Sequence, residues 1–329
     1  MDHETLVAHL HELANDALDL WALAPDAQAT LINLSENATY RIDQFAREPV
    51  ILRVHREGYH SKKAINSELT WLNALRAQGG VITPKAIPGR DGEVIQQYYS
   101  PHLPMPRHLV LFERIAGEEP DENQDLSAPF EQLGEITAKL HLHAERWQRP
   151  AGFERLIWDY EHILGDSPNW GDWREAPAMD QRALALLQRL QDTIQKRLQH
   201  YGQEPHRYNL IHADLRLANL LIEDGSTRVI DFDDCGFGWL LYDYATAFSF
   251  IEDHPLLPEL TASWLQGYRR QRALSTEDET EMPTFVMLRR LALLAWIGSH
   301  SETDLAKEQG PEFTRVSCEL AEDYLNKLG

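Results

Sequence analysis

The sequence predicts an α+β, bilobal chain, with a small N-terminal lobe built on an antiparallel sheet and a larger, mostly helical C-terminal lobe. Residues 28–54 contain three short runs of apolar and β-branched residues, which is typical of strands. Residues 127–200 and 256–328 mostly carry apolar side chains at helical spacing. An acidic run at 118–125 without apolar periodicity follows Gly117. We therefore expect lobes of residues 1–116 and 117–329.

The N-terminal lobe is predicted to begin with an amphipathic helix over residues 3–22, which ends before Pro25. Strands are expected at 29–34, 39–42 and 49–54, followed by a helix at 61–78. Ser61 suits the start of that helix as an N-cap, and Gly79 and Gly80 suit its end. A hairpin around Gly89–Gly92 and a strand that begins at 108 and runs into a break by Gly117 complete the lobe.

The C-terminal lobe is predicted to contain helices at 130–143, 178–200, 239–248, 256–273, 282–300 and 311–328. The stretch 153–174 holds three tryptophans and shows no regular period. His141 and His143 are two residues apart on a predicted helix and face in different directions, so we expect core or capping histidines rather than a shared metal site.

The chemistry is concentrated in residues 208–234. An apolar run at 208–211 leads into His212, Asp214 and Asn219, and two further apolar runs flank Asp224-Gly225. Asp-Gly between such runs predicts a β-hairpin, whose return strand delivers Asp231. Phosphoryl transfer needs one carboxylate that orients a hydroxyl, and an amide and a second carboxylate that hold Mg²⁺. These three residue types are present here.

The segment H-A-D-L-R-L-A-N, followed by I-D-F-D-D, resembles the aminoglycoside phosphotransferase/choline kinase family. That family has a protein-kinase-like fold and includes homoserine kinase type II and bacterial stress-response Ser/Thr kinase branches. The resemblance implies an ATP-dependent kinase in which Asp214 is the catalytic base and His212 braces the catalytic loop. It also implies that Asn219 and Asp231 ligate Mg²⁺.

Three further acidic residues lie close to this motif in the sequence. The resemblance implies that Asp243 anchors the catalytic loop by accepting backbone hydrogen bonds and takes no part in the chemistry. Asp233 and Asp234 are left open, because either could approach the metal or simply accept hydrogen bonds from neighbouring backbone.

The resemblance also assigns the nucleotide contacts of the N-terminal lobe. Arg53 stands where the family usually has a phosphate-binding lysine, and Glu68 is its expected ion-pair partner on the following helix, the family's helix C. The turn holding Ser35 and Asn37 is expected to meet phosphate oxygens, and backbone groups at Glu113–Ile115 to meet the adenine edge.

Charge and cysteine content exclude several classes of protein. The net charge is −21, and the region after residue 115 carries 20 basic against 38 acidic side chains, which argues against a nucleic-acid partner. The chain has two cysteines, its first residues do not resemble a signal peptide, and no apolar run approaches a membrane span. We therefore expect a cytoplasmic protein without a membrane partner.

The hydroxyl acceptor is the open question. An acidic C-terminal lobe suits a small cationic or amino-alcohol acceptor that is aminoglycoside-, choline- or homoserine-like. The alternative is a stress-response type kinase that acts on protein Ser/Thr. A nucleotide-binding pseudokinase is a lower alternative, suggested by Arg53 and opposed by the intact Asp214, Asn219 and Asp231. A Mg²⁺-dependent nuclease is disfavoured by the charge, and the sequence does not indicate the oligomeric state.

Overall fold

A computed structural model of the protein describes residues 2–329. These residues form two compact units. The N-terminal unit contains residues up to 74 together with 83–115 and 150–154, and the C-terminal unit contains 75–82, 116–149 and 155–329.

The N-terminal unit is an antiparallel sheet with two helices. Its strands follow the order β1-β2-β3-β6-β4, and β5 also pairs with β6. The elements are α1 (His3–Asp16), β1 (Gln28–Leu34), β2 (Ala38–Gln44), β3 (Arg47–Val54), α2 (Lys62–Ala74), β4 (Ala86–Ile87), β5 (Gln96–Tyr98) and β6 (Arg107–Glu113).

The helix caps and the core of this unit follow from local sequence. Asp2 accepts the backbone N–H of Thr5 and caps α1, and Ser61 accepts the N–H of Ala64, as predicted for the start of α2. The apolar face of α1 joins the sheet in one hydrophobic core that includes Leu13, Trp21 and Tyr40. The predicted hairpin around Gly89–Gly92 is absent from the described residues, because β4 and β5 each pair with β6 and not with each other.

The C-terminal unit is mostly helical and contains two small sheets. β9 pairs with β10, and β11 lies between β7 and β8. The elements are α3 (Ser127–Arg146), β7 (Leu156–Trp158), α4 (Tyr160–Leu164), α5 (Gln181–Tyr201), β8 (Tyr208–Ile211), β9 (Leu220–Glu223), β10 (Ser226–Val229), β11 (Gly236–Trp239), α6 (Leu240–Thr246), α7 (Leu257–Arg269), α8 (Thr276–Ser299) and α9 (Asp304–Leu328).

Helices α8 and α9 begin several residues before their predicted starts, and two further differences concern β7 and β11. Residues 156–158 form a strand inside the stretch expected to be irregular, and they pair in parallel with β11. The expected helix at 239–248 begins one residue later and is preceded by β11, which pairs with β8 in antiparallel fashion. Gly236 and Gly238 allow this close pairing, because a Cβ at either would collide with residues 156–158 or 211.

α3 and α7 cross at close range. A Cβ on Gly134 would collide with the backbone of α7, and a Cβ on Gly267 would collide with the backbone of α3. The crossing therefore requires glycine on both helices. α8 begins with a capping box between Ser275 and Asp278 and is buried over most of its length, although it carries Arg289 and Arg290. In residues 2–329, no helix has the length and apolar character needed to cross a membrane.

Candidate active site

The loop that follows β8 is held by a single buried carboxylate. Asp243, on α6, accepts the backbone N–H of Ala213 at 2.7 Å and that of His212 at 3.1 Å. Thr246, one turn further on, accepts the N–H of Leu215 at 2.9 Å. Ala213 has a positive φ of 69°, so the loop turns sharply just before Asp214. The backbone contacts that the resemblance assigns to Asp243 are thus present.

A buried histidine connects this carboxylate to α3 and α7. His141 lies between Asp243, 3.0 Å from its Nε2, and the hydroxyl of Tyr268, 2.8 Å from its Nδ1. Burial lowers the pKa of His141 and outweighs the opposing effect of Asp243, so the ring is neutral. A neutral ring donates from Nε2 to Asp243 and accepts at Nδ1 from Tyr268. His141 is thus a core histidine, as predicted, and it supports the anchor of the loop.

His212 braces the loop from within. Its Nδ1 accepts the N–H of Asp214 at 3.2 Å, and its Nε2 donates to the carbonyl of Ile230 at 3.1 Å. Burial lowers the pKa of His212, which keeps the ring in the neutral form that these two bonds require. The ring also packs against Phe232, with centroids 4.4 Å apart. His212 therefore ties the catalytic loop to the residues that follow the hairpin.

Both oxygens of the Asp214 carboxylate accept hydrogen bonds. Oδ1 accepts from Arg289 at 2.5 Å, and Oδ2 accepts from the amide of Asn219 at 2.7 Å and from Nε of Arg216 at 3.3 Å. Burial would raise the pKa of Asp214, but the charges of Arg289 and Arg216 outweigh burial and hold the pKa below its ordinary value. The carboxylate is therefore ionised and fixed in orientation.

Arg289 is a site residue that the sequence analysis missed. It lies on α8, 75 residues from Asp214, and its side chain is 1% exposed. Its guanidinium lies 4.8 Å from the ring centroid of Trp170 and donates to the hydroxyl of Ser249 at 2.9 Å. The available signal was a pair of arginines inside the apolar run 282–297, since a charge in a buried helix requires a partner.

The hairpin presents Asn219 and Asp231 at one end. The N–H of Ile230 donates to the carbonyl of Asn219 at 3.0 Å, directly beyond the last pair of the β9–β10 ladder. The return strand ends at Val229, two residues before Asp231, so the prediction that Asp231 lies on that strand was wrong. Asp231 has a positive φ of 58°, which turns the chain away from the strand direction. The predicted Asp-Gly turn is present, with positive φ at both Asp224 and Gly225.

The donor set of Asn219 and Asp231 suits a hard divalent cation. The amide nitrogen of Asn219 donates to the side chain and the carbonyl of Asp214, at 2.7 and 2.8 Å, so the amide oxygen is the atom left for a metal. Oxygen ligands from an amide and a carboxylate are typical of Mg²⁺ and Ca²⁺. Residues 2–329 contain no group of three or more His, Cys, Asp or Glu side chains arranged to hold a metal. Two protein ligands fit a cation that takes its other ligands from phosphates and water.

The two acidic residues that the sequence left open lie in a loop tied down through its backbone. Arg155 donates to the carbonyl oxygens of Asp233 and Cys235, the latter at 2.7 Å. Nε1 of Trp158 donates to the carbonyl of Asp234 at 2.8 Å. Asp233 is buried, and Asp234 is partly exposed. Arg155 and Trp158 therefore fix the chain just after Asp231.

In the N-terminal unit, Arg53 and Glu68 form the predicted ion pair. Nη1 of Arg53 donates to Oε1 of Glu68 at 2.8 Å, and both side chains are buried. Glu68 is completely buried. The guanidinium of Arg53 also lies 5.2 Å from the ring centroid of Phe112 on β6.

The other predicted nucleotide contacts lie in the same unit. The N–H of Ser35 donates to the carbonyl of Asn37 at 3.1 Å within the turn, and the side-chain oxygen of Asn37 accepts the N–H of Arg56, just after β3, at 3.1 Å. One bond inside the turn and one to the end of β3 thus fix its shape. The N–H of Glu113 already donates to the carbonyl of Lys85 at 2.8 Å. A backbone donor to adenine would therefore have to come from Arg114 or Ile115 rather than Glu113.

Comparisons with known proteins identify the family and the fold. Residues 29–280 match the phosphotransferase enzyme family. The solved structure of the microcompartment-associated aminopropanol kinase superposes with a TM-score of 0.89 at 48% identity, over 97% of this chain and 98% of that one. Amicoumacin kinase of Bacillus subtilis (strain 168) is 24% identical over 87% of this chain and 84% of its own length. An amicoumacin kinase structure, hAmiN with AMP-PNP, Ca²⁺ and Ami, has the same fold, with a TM-score of 0.77 at 21% identity over 99% of this chain and 96% of that one.

The family match covers more than half of the chain, and it spans the whole of the motif on which the resemblance was based. The structural neighbours confirm the expected protein-kinase-like α+β fold. The chain belongs to the phosphotransferase enzyme family.

Proposed function

We propose that this protein is an ATP-dependent kinase that transfers the γ-phosphate of ATP to the hydroxyl of a small amino alcohol. The observation that carries the reaction type is the fixed, ionised carboxylate of Asp214 next to Asn219, which shares the open end of the hairpin with Asp231. The acceptor class follows from the relative that is 48% identical over 97% of the chain, which is an aminopropanol kinase. The acidic charge of the region after residue 115 supports a cationic acceptor.

Asp214 orients the acceptor in this proposal. A carboxylate oxygen can accept two hydrogen bonds, and Oδ1 accepts one, from Arg289. The hydroxyl of the acceptor donates to the remaining position on Oδ1. Because the pKa of Asp214 is held low, the carboxylate is a weak base that takes the proton late, which suits the loose transition state of phosphoryl transfer.

The reaction forms one bond and breaks one. The acceptor oxygen bonds to the γ-phosphorus, and the bond from that phosphorus to the bridging oxygen breaks, with its electron pair leaving on ADP. The hydroxyl proton passes to Asp214 and then to solvent. Asp243, His141 and His212 keep the loop in place during these steps, so that the acceptor meets the phosphorus in line.

The cofactor that we propose is Mg²⁺, with Asn219 and Asp231 as its protein ligands. Their oxygen donors fit the ion, and the small number of protein ligands leaves positions for phosphate oxygens. When bound, Mg²⁺ neutralises charge on the phosphates of ATP.

The nucleotide contacts are assigned by family membership and by the local geometry. We assign the phosphates to Arg53, oriented by Glu68, and to the turn of Ser35 and Asn37. We assign the backbone donor to adenine to Ile115 by family resemblance; the N–H of Glu113 is already paired. We place the reaction in the cytoplasm, where ATP is available and where Cys235 and Cys318, both free thiols, stay reduced.

An acceptor screen tests this proposal. Purified protein with MgATP is assayed for ADP release against 1-aminopropan-2-ol, ethanolamine, choline, homoserine, an aminoglycoside and a generic protein substrate, and ³¹P NMR identifies the product. We expect a phosphomonoester of an amino alcohol. Phosphorylation of the protein substrate alone would indicate the Ser/Thr protein kinase alternative. MgATP binding without transfer to any acceptor would indicate a pseudokinase.

A further inference from the structure

Two arginines contact the Asp214 carboxylate, and their environments differ sharply. Arg289 donates to Oδ1 and is 1% exposed, whereas Arg216 donates to Oδ2 through Nε and is 22% exposed. Arg289 comes from α8, far along the chain, and Arg216 belongs to the catalytic loop itself. Two cations beside one carboxylate exceed what is needed to balance its charge, and the two guanidinium groups differ in how many of their N–H donors are already engaged.

Each nitrogen of the Arg289 guanidinium already has a partner within the protein. Its Nη2 donates to Asp214 at 2.5 Å and its Nε to Ser249 at 2.9 Å. Its Nη1 faces the carbonyl of Ala213 at 3.4 Å and the hydroxyl of Tyr242 at 3.5 Å. Every nitrogen of this guanidinium therefore has a protein partner, and the group is buried. Arg289 is a positioning residue that fixes the orientation of Asp214.

Arg216, in contrast, has N–H donors that no group in the described part of the chain accepts. Among residues 2–329, its guanidinium makes one hydrogen bond, from Nε to Asp214, and that bond is long at 3.3 Å. A guanidinium carries five N–H donors in a planar fork, so the four N–H groups on Nη1 and Nη2 are not engaged. The main chain of Arg216 is held by the turn it begins, where its carbonyl accepts the N–H of Asn219 at 2.9 Å. The backbone of Arg216 is therefore fixed, while the Nη1 and Nη2 groups at the end of its side chain are available to a ligand.

This position is next to the reacting phosphorus in the proposed reaction. The acceptor hydroxyl lies on Asp214, and the group it attacks carries negative charge on three equatorial oxygens, which a nearby cation stabilises. An amino-alcohol acceptor carries no anionic group that would compete for this arginine. A planar fork of donors matches phosphate geometry better than an ammonium does.

We propose that Arg216 is a catalytic residue whose Nη1 and Nη2 groups bind the γ-phosphoryl oxygens during transfer. This inference depends on the proposed kinase function. It predicts that Arg216 contributes to kcat and little to the affinity for the acceptor or for MgATP, because the contact is strongest when the phosphoryl group lies between donor and acceptor.

Steady-state kinetics and a transition-state mimic test the proposal together. We expect Arg216→Gln to lower kcat by at least about 100-fold while both KM values stay within about threefold, the size of effect seen for donors to developing charge. Inhibition by MgADP with aluminium fluoride in the presence of acceptor should weaken by a similar factor. The kcat of Arg216→Lys should fall between those of the wild type and Arg216→Gln, since lysine keeps the positive charge and loses the planar set of N–H donors.

Arg197→Gln is the matched control. Arg197 is also 22% exposed and pairs with a carboxylate, Glu281, at 2.7 Å. It lies on α5, and its hydrogen-bond partners are Glu281, Thr284 and Leu328 rather than residues of the catalytic loop. Its kcat should equal that of the wild type.

Three results would overturn the proposal. Unchanged kcat in Arg216→Gln would do so directly. A raised acceptor KM with unchanged kcat would instead make Arg216 an acceptor-binding residue. A lower kcat with intact inhibition by aluminium fluoride would mean that Arg216 acts only by orienting Asp214. If the wild-type enzyme itself phosphorylated no acceptor, the proposed function would fall, and this inference with it.

Discussion

Replacing Asp243 with asparagine tests how strongly the catalytic loop depends on its buried anchor. The carboxylate accepts three hydrogen bonds, from the N–H groups of Ala213 and His212 and from the ring of His141, and it is completely buried. An amide of the same shape offers one acceptor oxygen and one NH₂ donor. If the oxygen keeps the bond to Ala213, the NH₂ faces the N–H of His212, and two donors meet.

The magnitude follows from these contacts. His141 can adapt by changing tautomer, since the hydroxyl of Tyr268 can accept as well as donate. The bond to His212 cannot adapt, and the loss of a charge-assisted bond together with an unpaired buried N–H costs about 3 kcal/mol. For a unit of this size, that loss lowers Tm by roughly 6–12 °C. Displacement of Asp214 by about 1 Å lowers kcat by on the order of 100-fold.

Thermal unfolding and ADP release, measured on the same preparation of Asp243→Asn, check both numbers. Asp278→Asn is the control, because Asp278 also accepts a backbone N–H, from Ser275, and a hydroxyl, from Tyr201, but lies in the cap of α8. We expect the control to have a lower Tm than the wild type and, when assayed at temperatures well below that Tm, to have the same kcat. If Asp243→Asn also keeps wild-type kcat, the carboxylate does not position the loop and the reasoning is wrong.

Three further outcomes are expected. Burial lowers the pKa of His141, so below about pH 6.5 the unfolded chain binds a proton that the folded chain does not. The free energy of unfolding should therefore fall as the pH drops from about 6.5 toward the pKa of His141 in the folded protein. Urea unfolding at several pH values should show this decline, and His141→Gln should reduce its slope by up to about 1.4 kcal/mol per pH unit. Arg53→Gln should weaken MgATP binding by roughly tenfold in calorimetry, because a glutamine brings no positive charge to the phosphates. Unchanged affinity would remove Arg53 from the nucleotide site. Gly134→Ala should destabilise the protein by about 1–3 kcal/mol, since its Cβ meets the backbone of α7, and a wild-type Tm would contradict the close helix crossing.

Local chemistry explains what the sequence could predict. The Asp224-Gly225 turn, the caps at Asp2 and Ser61 and the strands of the N-terminal sheet depend on residues only a few positions apart. The spacing of Asp214 and Asn219 could be interpreted for the same reason, because both belong to one loop. Arg53 and Glu68 are 15 residues apart, and family resemblance, rather than periodicity, indicated their pairing.

Long-range pairing explains what the sequence could not predict. Arg289 reaches Asp214 across 75 residues, and His141 reaches Asp243 across 102 residues, so no pattern in a local window identifies either contact. Strand Leu156–Trp158 has only three residues and exists because it pairs with β11. The strand before Asp231 ends at Val229, and Asp231 itself has a positive φ, which an aspartate adopts without any sequence signal beyond its own identity.

The contacts of Asp214 also determine which substitution best tests its role as the catalytic base. Asp214→Ala would leave the buried guanidinium of Arg289 without its carboxylate, and breaking a buried ion pair costs about 3–5 kcal/mol. A loss of activity in that variant would therefore mix chemistry with unfolding. Asp214→Asn keeps an acceptor oxygen for Arg289 and removes the negative charge.

The most direct test of the central claim is the kcat of Asp214→Asn for the amino alcohol found in the acceptor screen, with MgATP affinity measured by calorimetry on the same sample. We expect kcat to fall by at least about 1,000-fold while the Kd for MgATP stays within about threefold of the wild type, because the residue acts on the acceptor and not on the nucleotide. An Asp214→Asn enzyme that keeps its kcat, or one that no longer binds MgATP although it is folded, would contradict the role assigned to Asp214.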